Sequence, residues 1–226
     1  MTNAMPSLDD DQPLATQTAA KIREMLITGE LLPGTKLSEQ QISAQFGISR
    51  NTLREVFRLL TSQSLLNYIP NRGVFVATPD EATVVDIYRV RRVIQKGAVQ
   101  IAVPAHPALA RMNVLLAQAV LAQENGDWRQ VGTINMEFHR AMVELCDSTR
   151  LSACFDLVLA ELRLVFAQLE DNAHLHESYI ALNAELLSSL QSGNNEIAVR
   201  QLDSYLLSSE RSVLAALQRK KNVPIR

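Results

Sequence analysis

Apolar positions recur at two different spacings along the chain, and the change of spacing divides it. Ala19, Ile22, Met25, Leu26 and Ile27 return every three or four residues, which predicts a helix over residues 15–28, ended by Gly29 and a Leu32-Pro33-Gly34 turn. Ser38 is placed to cap a second helix over 39–46, with Gln41 completing a capping-box pattern and Ile42 and Phe46 facing inward. Gly47 stops that helix, Ile48 packs inward, and Ser49 caps a third over 50–63 that buries Leu53, Val56, Phe57 and Leu60. Two helices joined so tightly by a glycine form the pattern of a helix-turn-helix. The spacing then shortens. Residues 65–69 and 73–77 are brief extended runs around Pro70-Asn71-Arg72, which predicts a two-stranded hairpin.

From Asp80 onward every segment reads as helical: about 80–103, 107–125, 127–146, 149–171, 176–191 and 196–221. The breaks fall at Pro104–Pro107, Gly126, Asp147-Ser148, near Asn172, and at Gly193-Asn194-Asn195. The expected fold class is therefore mainly α. A winged helix-turn-helix over 14–78 (three helices and a small β-hairpin wing) precedes a bundle of about six helices over 79–226. Residues 1–13, with Asp9, Asp10 and Asp11 and no apolar period, read as a disordered acidic tail and not as a signal peptide.

Composition agrees with packed helices: apolar residues make up 47% of the chain and aromatics only 5%. No apolar run reaches the length of a membrane span, so a cytoplasmic protein is expected. Cys146 and Cys154, both on segments that read as helical, form no CxxC pair and suggest neither a disulfide framework nor a cysteine zinc site. The net charge of −2 is less informative than its distribution. Between residues 12 and 78 stand seven bases (Lys21, Arg23, Lys36, Arg50, Arg54, Arg58, Arg72) and four acids (Glu24, Glu30, Glu39, Glu55), a net +3. A modest basic lobe on a near-neutral chain suits a sequence reader better than a nonspecific DNA coater.

The first turn of the third helix carries the candidate chemistry. Arg50 and Asn51 have the donor patterns that read guanine and adenine edges, and Arg54 follows one position past the turn. Ser49 and Thr52 supply hydroxyls suited to phosphate. Arg72 and Gly73 at the hairpin tip make a small basic probe for a minor groove. Residues 20–76 resemble the GntR family of bacterial regulators, through the GELLPG turn, LSEQQIS, the GISRNTLRE block and the NRGVFV wing. The resemblance implies DNA contact by Arg50, Asn51, Thr52 and Arg54, with Asn71, Arg72 and Gly73 in the minor groove. Gln40 stands where some relatives place a phosphate-contacting Arg.

The helical remainder resembles, more loosely, the FCD (FadR C-terminal) effector domain found in the FadR-like subgroup of that family. IYRVRRVIQKGAVQIA matches its first helix, with Arg91 in place and Gln95 where an acid is usual; NMEFHRAMVELCDSTRL matches a second motif. Many such domains hold a divalent metal through one Asp and three His. The corresponding positions here are Asn135, His139, Asn183 and Tyr205, so one ligand of four remains. Asn is a weak ligand, and Tyr must lose a proton with an ordinary pKa of about 10; no cofactor is expected, and a divalent metal, though possible here, is disfavoured because three of the four ligand positions are substituted. The remaining cluster, with Arg91 nearby, suits a small organic acid or an apolar metabolite bound directly. The alternative is that these polar groups only satisfy one another in the core.

With four His, at 106, 139, 174 and 176, and no GxSxG, P-loop or HExxH motif, an enzyme is not expected. The expectation is a homodimeric transcriptional regulator, a repressor more readily than an activator. Its two winged domains would meet a palindromic operator on double-stranded DNA, under control of an effector in the helical domain. A ligand-independent architectural DNA binder is the alternative.

Overall fold

A computed structural model of the chain describes residues 13–169 and 172–221, with side chains of 172–177 and 221 excluded. Apart from Pro13, the expected acidic tail lies outside the described residues. The chain divides between Thr78 and Pro79 into two compact units.

In the first unit α1 (Leu14–Ile27) buries Ala19, Ile22, Leu26 and Ile27. It packs on α3 (Arg50–Ser62), which buries Leu53, Val56, Phe57 and Leu60. Between them in sequence, α2 (Glu39–Phe46) starts at Ser38, whose Oγ accepts from the Gln41 N–H at 3.4 Å. Such a cap is worth about 1 kcal/mol. Phe46, expected in the core, is only half-buried, because α2 is short and turns a single residue, Ile42, fully inward. Gly47 adopts φ 63°, a left-handed conformation open to glycine, and lets the Ile48 N–H reach back to the Ser43 carbonyl at 3.1 Å. That sharp exit sets the angle between α2 and α3.

The wing has three strands, not the two expected. β1 (Lys36–Leu37) pairs antiparallel with β3 (Gly73–Val76), which pairs in turn with β2 (Leu66–Ile69). The register sets Lys36 opposite Phe75 and Ile69 opposite Gly73. Asn71 at φ 61° and Gly73 at φ 105° turn the three-residue loop between β2 and β3.

The second unit is all-helical in its described residues. It contains α4 (Glu81–Gln100), α5 (Pro107–Glu124), α6 (Trp128–Glu144), α7 (Thr149–Phe166), α8 (Asn172–Gln191) and α9 (Asn195–Lys221). Side chains at the loop junctions start four of them. Asp80 accepts from the Thr83 N–H, His106 Nδ1 from Ala108, Asp127 from Gln130 and Ser148 from Leu151. Cys146 lies in the turn after α6 and not on the helix, which ends at Glu144; both cysteines are free thiols. α6 is the centre of the unit. It packs against α4, α5, α7 and α8 and buries ten of its seventeen residues, among them the polar Asn135 and His139. Among the described residues no helix is long and apolar enough to cross a membrane.

Candidate nucleic-acid interface and buried polar network

The N-terminal unit holds its candidate residues in solvent. Ser49 Oγ accepts from the Thr52 N–H at 3.1 Å and shares a hydrogen bond with Thr52 Oγ1 at 2.9 Å. Both hydroxyls thus belong first to the cap, and one O–H of the pair remains to donate outward. Arg50, Asn51 and Arg54 are exposed on the opening turns of α3, and Gln40 is exposed on α2. The buried stripe of Leu53, Val56, Phe57 and Leu60 fixes which face of α3 these side chains present. A groove of about 630 Å³ lies between α3 and the wing, with Arg54, Arg58 and Tyr68 among its walls. Glu39 is the acid on its lining.

At the wing, Arg72 and Lys36 both sit over the Phe75 ring, with centroid distances of 5.7 and 6.0 Å. Asn71 and Arg72 are exposed and Gly73 is half-buried. A Cβ on Gly73 would stand 3.4 Å from Lys36 Cε, so the glycine serves both the turn and the approach of Lys36. Lys36, Arg58 and Tyr68 join the surface without having been singled out as contacts from sequence. Lys36 was invisible as a wing residue because β1 has only two residues and no readable period.

The C-terminal unit does the reverse. Arg91, Gln95, Asn135, His139, Asn183 and Tyr205 are all buried, between 0 and 6% exposed. α4 carries Arg91 and Gln95 one turn apart, α6 carries Asn135 and His139 likewise, and α8 and α9 supply Asn183 and Tyr205. They form one continuous network with a fixed polarity. Arg91 can only donate, so Gln95 Oε1 accepts from Arg91 Nε at 3.2 Å. Gln95 Nε2 must then donate to His139 Nδ1, 2.7 Å away. Burial, and secondly the Arg91 charge, hold the His139 pKa well below its ordinary value, so the ring is neutral. A neutral ring accepting at Nδ1 carries its proton on Nε2 and donates to Tyr205 Oη at 3.0 Å. Tyr205 donates onward to Asn135 Oδ1 at 3.3 Å, and Asn183 Nδ2 donates to the same oxygen at 2.8 Å.

Arg91 therefore meets this cluster through Gln95 and does not itself hydrogen-bond Asn135, Asn183 or Tyr205. Its guanidinium lies over the Tyr88 ring at 4.8 Å, and Tyr88 and Tyr179 share Ser209 at 2.6 and 2.8 Å. No described carboxylate comes within ion-pair distance of Arg91. Gln95 is the link that sequence reading noted only as a missing acid. Its bond crosses from α4 to α6, and no spacing along the chain encodes it.

A divalent cation does not fit this donor set. Both His139 nitrogens are committed, one as acceptor and one as donor. Burial raises the Tyr205 pKa well above 10, so the phenol stays protonated. Asn135 Oδ1 already accepts two hydrogen bonds. Among the described residues no three His, Cys, Asp or Glu side chains come together.

An exposed helix-turn-helix with a basic wing, followed by an apolar helical bundle that seals a polar network, is the arrangement of a two-domain transcriptional regulator. Residues 14–76 match the model for bacterial regulatory proteins of the gntR family, and residues 86–208, more than half of the chain, match the FCD domain. The chain belongs to the GntR family and carries an FCD domain, in a class of regulators and not of enzymes. An HTH-type transcriptional regulator in an unstable DNA locus of Streptomyces ambofaciens is 32% identical over 126 residues, 55% of this chain and 53% of that protein. The first curated relatives are thus matched over about half to two thirds of their length. The HTH-type transcriptional repressor RspR of Escherichia coli is 23% identical over 208 residues, 91% of each chain. Among solved structures, a GntR regulator from Rhodococcus sp. RHA1 superposes with a TM-score of 0.81 at 36% identity, covering 89% of this chain and 98% of that one.

Proposed function

We propose that this protein is a sequence-specific DNA-binding repressor whose helical unit binds a small-molecule effector without a metal. The observation that carries the reading is the α3 opening turn. Arg50, Asn51 and Arg54 are exposed there together, on a helix anchored by a continuous apolar face. Such a turn fits a major groove, and the Lys36–Arg72 pair on the wing fits the adjacent minor groove and its phosphates. Arg58 and Tyr68 line the groove between, where a DNA backbone would run. Two copies joined through their helical units would place two winged units on a palindromic operator in the cytoplasm. Repression is favoured by the similarity to a named repressor that extends over most of both chains.

The test is a binding titration of wild type and Arg50→Ala on DNA from the promoter of the protein's own gene and on random DNA of equal length. Wild type is expected to prefer the promoter fragment strongly. Arg50→Ala should cost about 1–3 kcal/mol on that fragment and narrow the preference. A wild type that binds that fragment no better than random DNA sinks the reading. Equal losses on both DNAs reduce Arg50 to a phosphate contact.

A further inference from the structure

α6 and α7 pack antiparallel, and opposite charges join them at one end of their seam but not at the other. Arg140 on α6 donates through Nε to Asp156 Oδ1 on α7 at 2.9 Å, and Glu137 accepts from the same guanidinium. Two turns away the same register sets Arg163 of α7 opposite Thr133 of α6, and there the cation meets no acid. Arg163 Nη2 donates to Thr133 Oγ1 at 3.3 Å. Thr133 in turn donates its hydroxyl proton to the Arg129 carbonyl at 3.1 Å, so toward Arg163 it only accepts. Among the described residues no carboxylate forms an ion pair with Arg163.

Arg163 is only 7% exposed, and arginine is almost never so deeply buried unless it is paired. The nearest charge is of its own sign. Burial, and secondly the charge of Arg129 one turn before Thr133, lower the Arg163 pKa; an arginine keeps its proton in a protein all the same. Taking such a charge out of water is costly unless an opposite charge comes with it. Thr133 engages one of the five N–H groups that a guanidinium offers, in a planar fork that matches two oxygens of a carboxylate or phosphate. The place is separate from the His139 network, because Thr133 stands two positions from Asn135, about 200° round α6.

We propose that Arg163 is the seat of a small oxyanion, a carboxylate or a phosphate group, gripped by its guanidinium in the α6–α7 seam with the Arg129 charge beside it. The anion does for this end of the seam what Asp156 does for Arg140 at the other, so the hold of α7 on α6 depends on it. The site needs neither the polar network around His139 nor the reading of the winged unit, and it stands or falls apart from both.

The experiment uses the full chain and follows thermal unfolding in sodium phosphate, sodium acetate and sodium chloride at equal ionic strength. Phosphate or acetate is expected to raise Tm by a few degrees above chloride, as a ligand of the folded state does. Arg163→Met keeps the length of the stem and removes the charge, and it should lose that rise. Thr133→Glu builds an acid into the seam opposite Arg163. It should raise Tm in chloride and lose the anion response, and it covers the case in which Arg163→Met fails to fold. A rise with both anions upholds a general oxyanion seat; a rise with phosphate alone narrows it to phosphate groups, and one with acetate alone to carboxylates. Phosphate also stabilises proteins by exclusion from their surface, an effect that no single side chain controls. A rise retained in either folded variant is therefore that effect and overturns the proposal, as does a wild type whose Tm in phosphate and in acetate stays at its chloride value.

Discussion

In the winged unit the candidate polar side chains stand in solvent on a face fixed by apolar packing beneath, whereas in the helical unit they are sealed between helices and fixed by each other. Arg50, Asn51, Arg54 and Arg72 are exposed; Arg91, Asn135, His139, Asn183 and Tyr205 are nearly inaccessible. The two units therefore respond differently to substitution. A solvent-facing group interacts with an outside partner one at a time, so its removal changes binding and leaves the fold alone. A group inside a polar network is satisfied only by its neighbours, so its removal leaves them unsatisfied and is felt as stability.

The largest expected effect follows from that contrast. His139→Ala deprives Gln95 Nε2 of its acceptor and Tyr205 Oη of its donor, and opens a void at the centre of α6. The loss should be about 2–4 kcal/mol in unfolding stability. Urea titration monitored by circular dichroism checks it, with DNA affinity of the folded fraction expected to stay at the wild-type value. A variant as stable as wild type would erase the contrast, since the network would then hold nothing together.

The same contrast explains what could be read from sequence. α2 begins and ends where expected because Ser38 and Gly47 mark its two ends by local chemistry. α3 and the β2–β3 hairpin are legible for the same reason, their contacts lying close along the chain. The third wing strand was not, because Lys36 and Leu37 become a strand only by pairing with Phe75 and Val74. α7 was read too long, to 171, since no glycine or proline marks its end at Phe166. In the helical unit, Asn135 and His139 could be placed on one face of a helix by their spacing. Asn183 and Tyr205 came only through family resemblance. The joining role of Gln95 was out of reach, because it depends on how α4 and α6 meet.

On the exposed winged unit the expected effect is on binding and is smaller. Arg72→Ala removes the charge at the wing tip and its stacking on Phe75, an exposed cation–π contact. The backbone turn does not need the side chain, since the Arg72 N–H to Ile69 carbonyl bond at 3.0 Å survives. Affinity for the promoter fragment should fall by about 1 kcal/mol, with Tm unchanged. A fall in Tm together with affinity would show that the tip cation is part of the wing's fold and would blur the line between the two units.

Lys36→Ala should have the smallest effect, and its form matters more than its size. Lys36 is exposed, sits across β1–β3 from Phe75, and shares that ring with Arg72. As a point charge on a flexible stem it suits a phosphate and not a base edge. Its removal should weaken promoter and random DNA alike and reduce the slope of log K against log salt by about 1. Tm should not move, because β1 is held to β3 by backbone pairing. An unchanged slope would take Lys36 off the DNA surface and leave Arg72 as the only cation of the Phe75 pair that meets DNA. A loss confined to the promoter fragment would mean instead that the third strand takes part in reading sequence, a role its two residues would then share with the opening turn of α3.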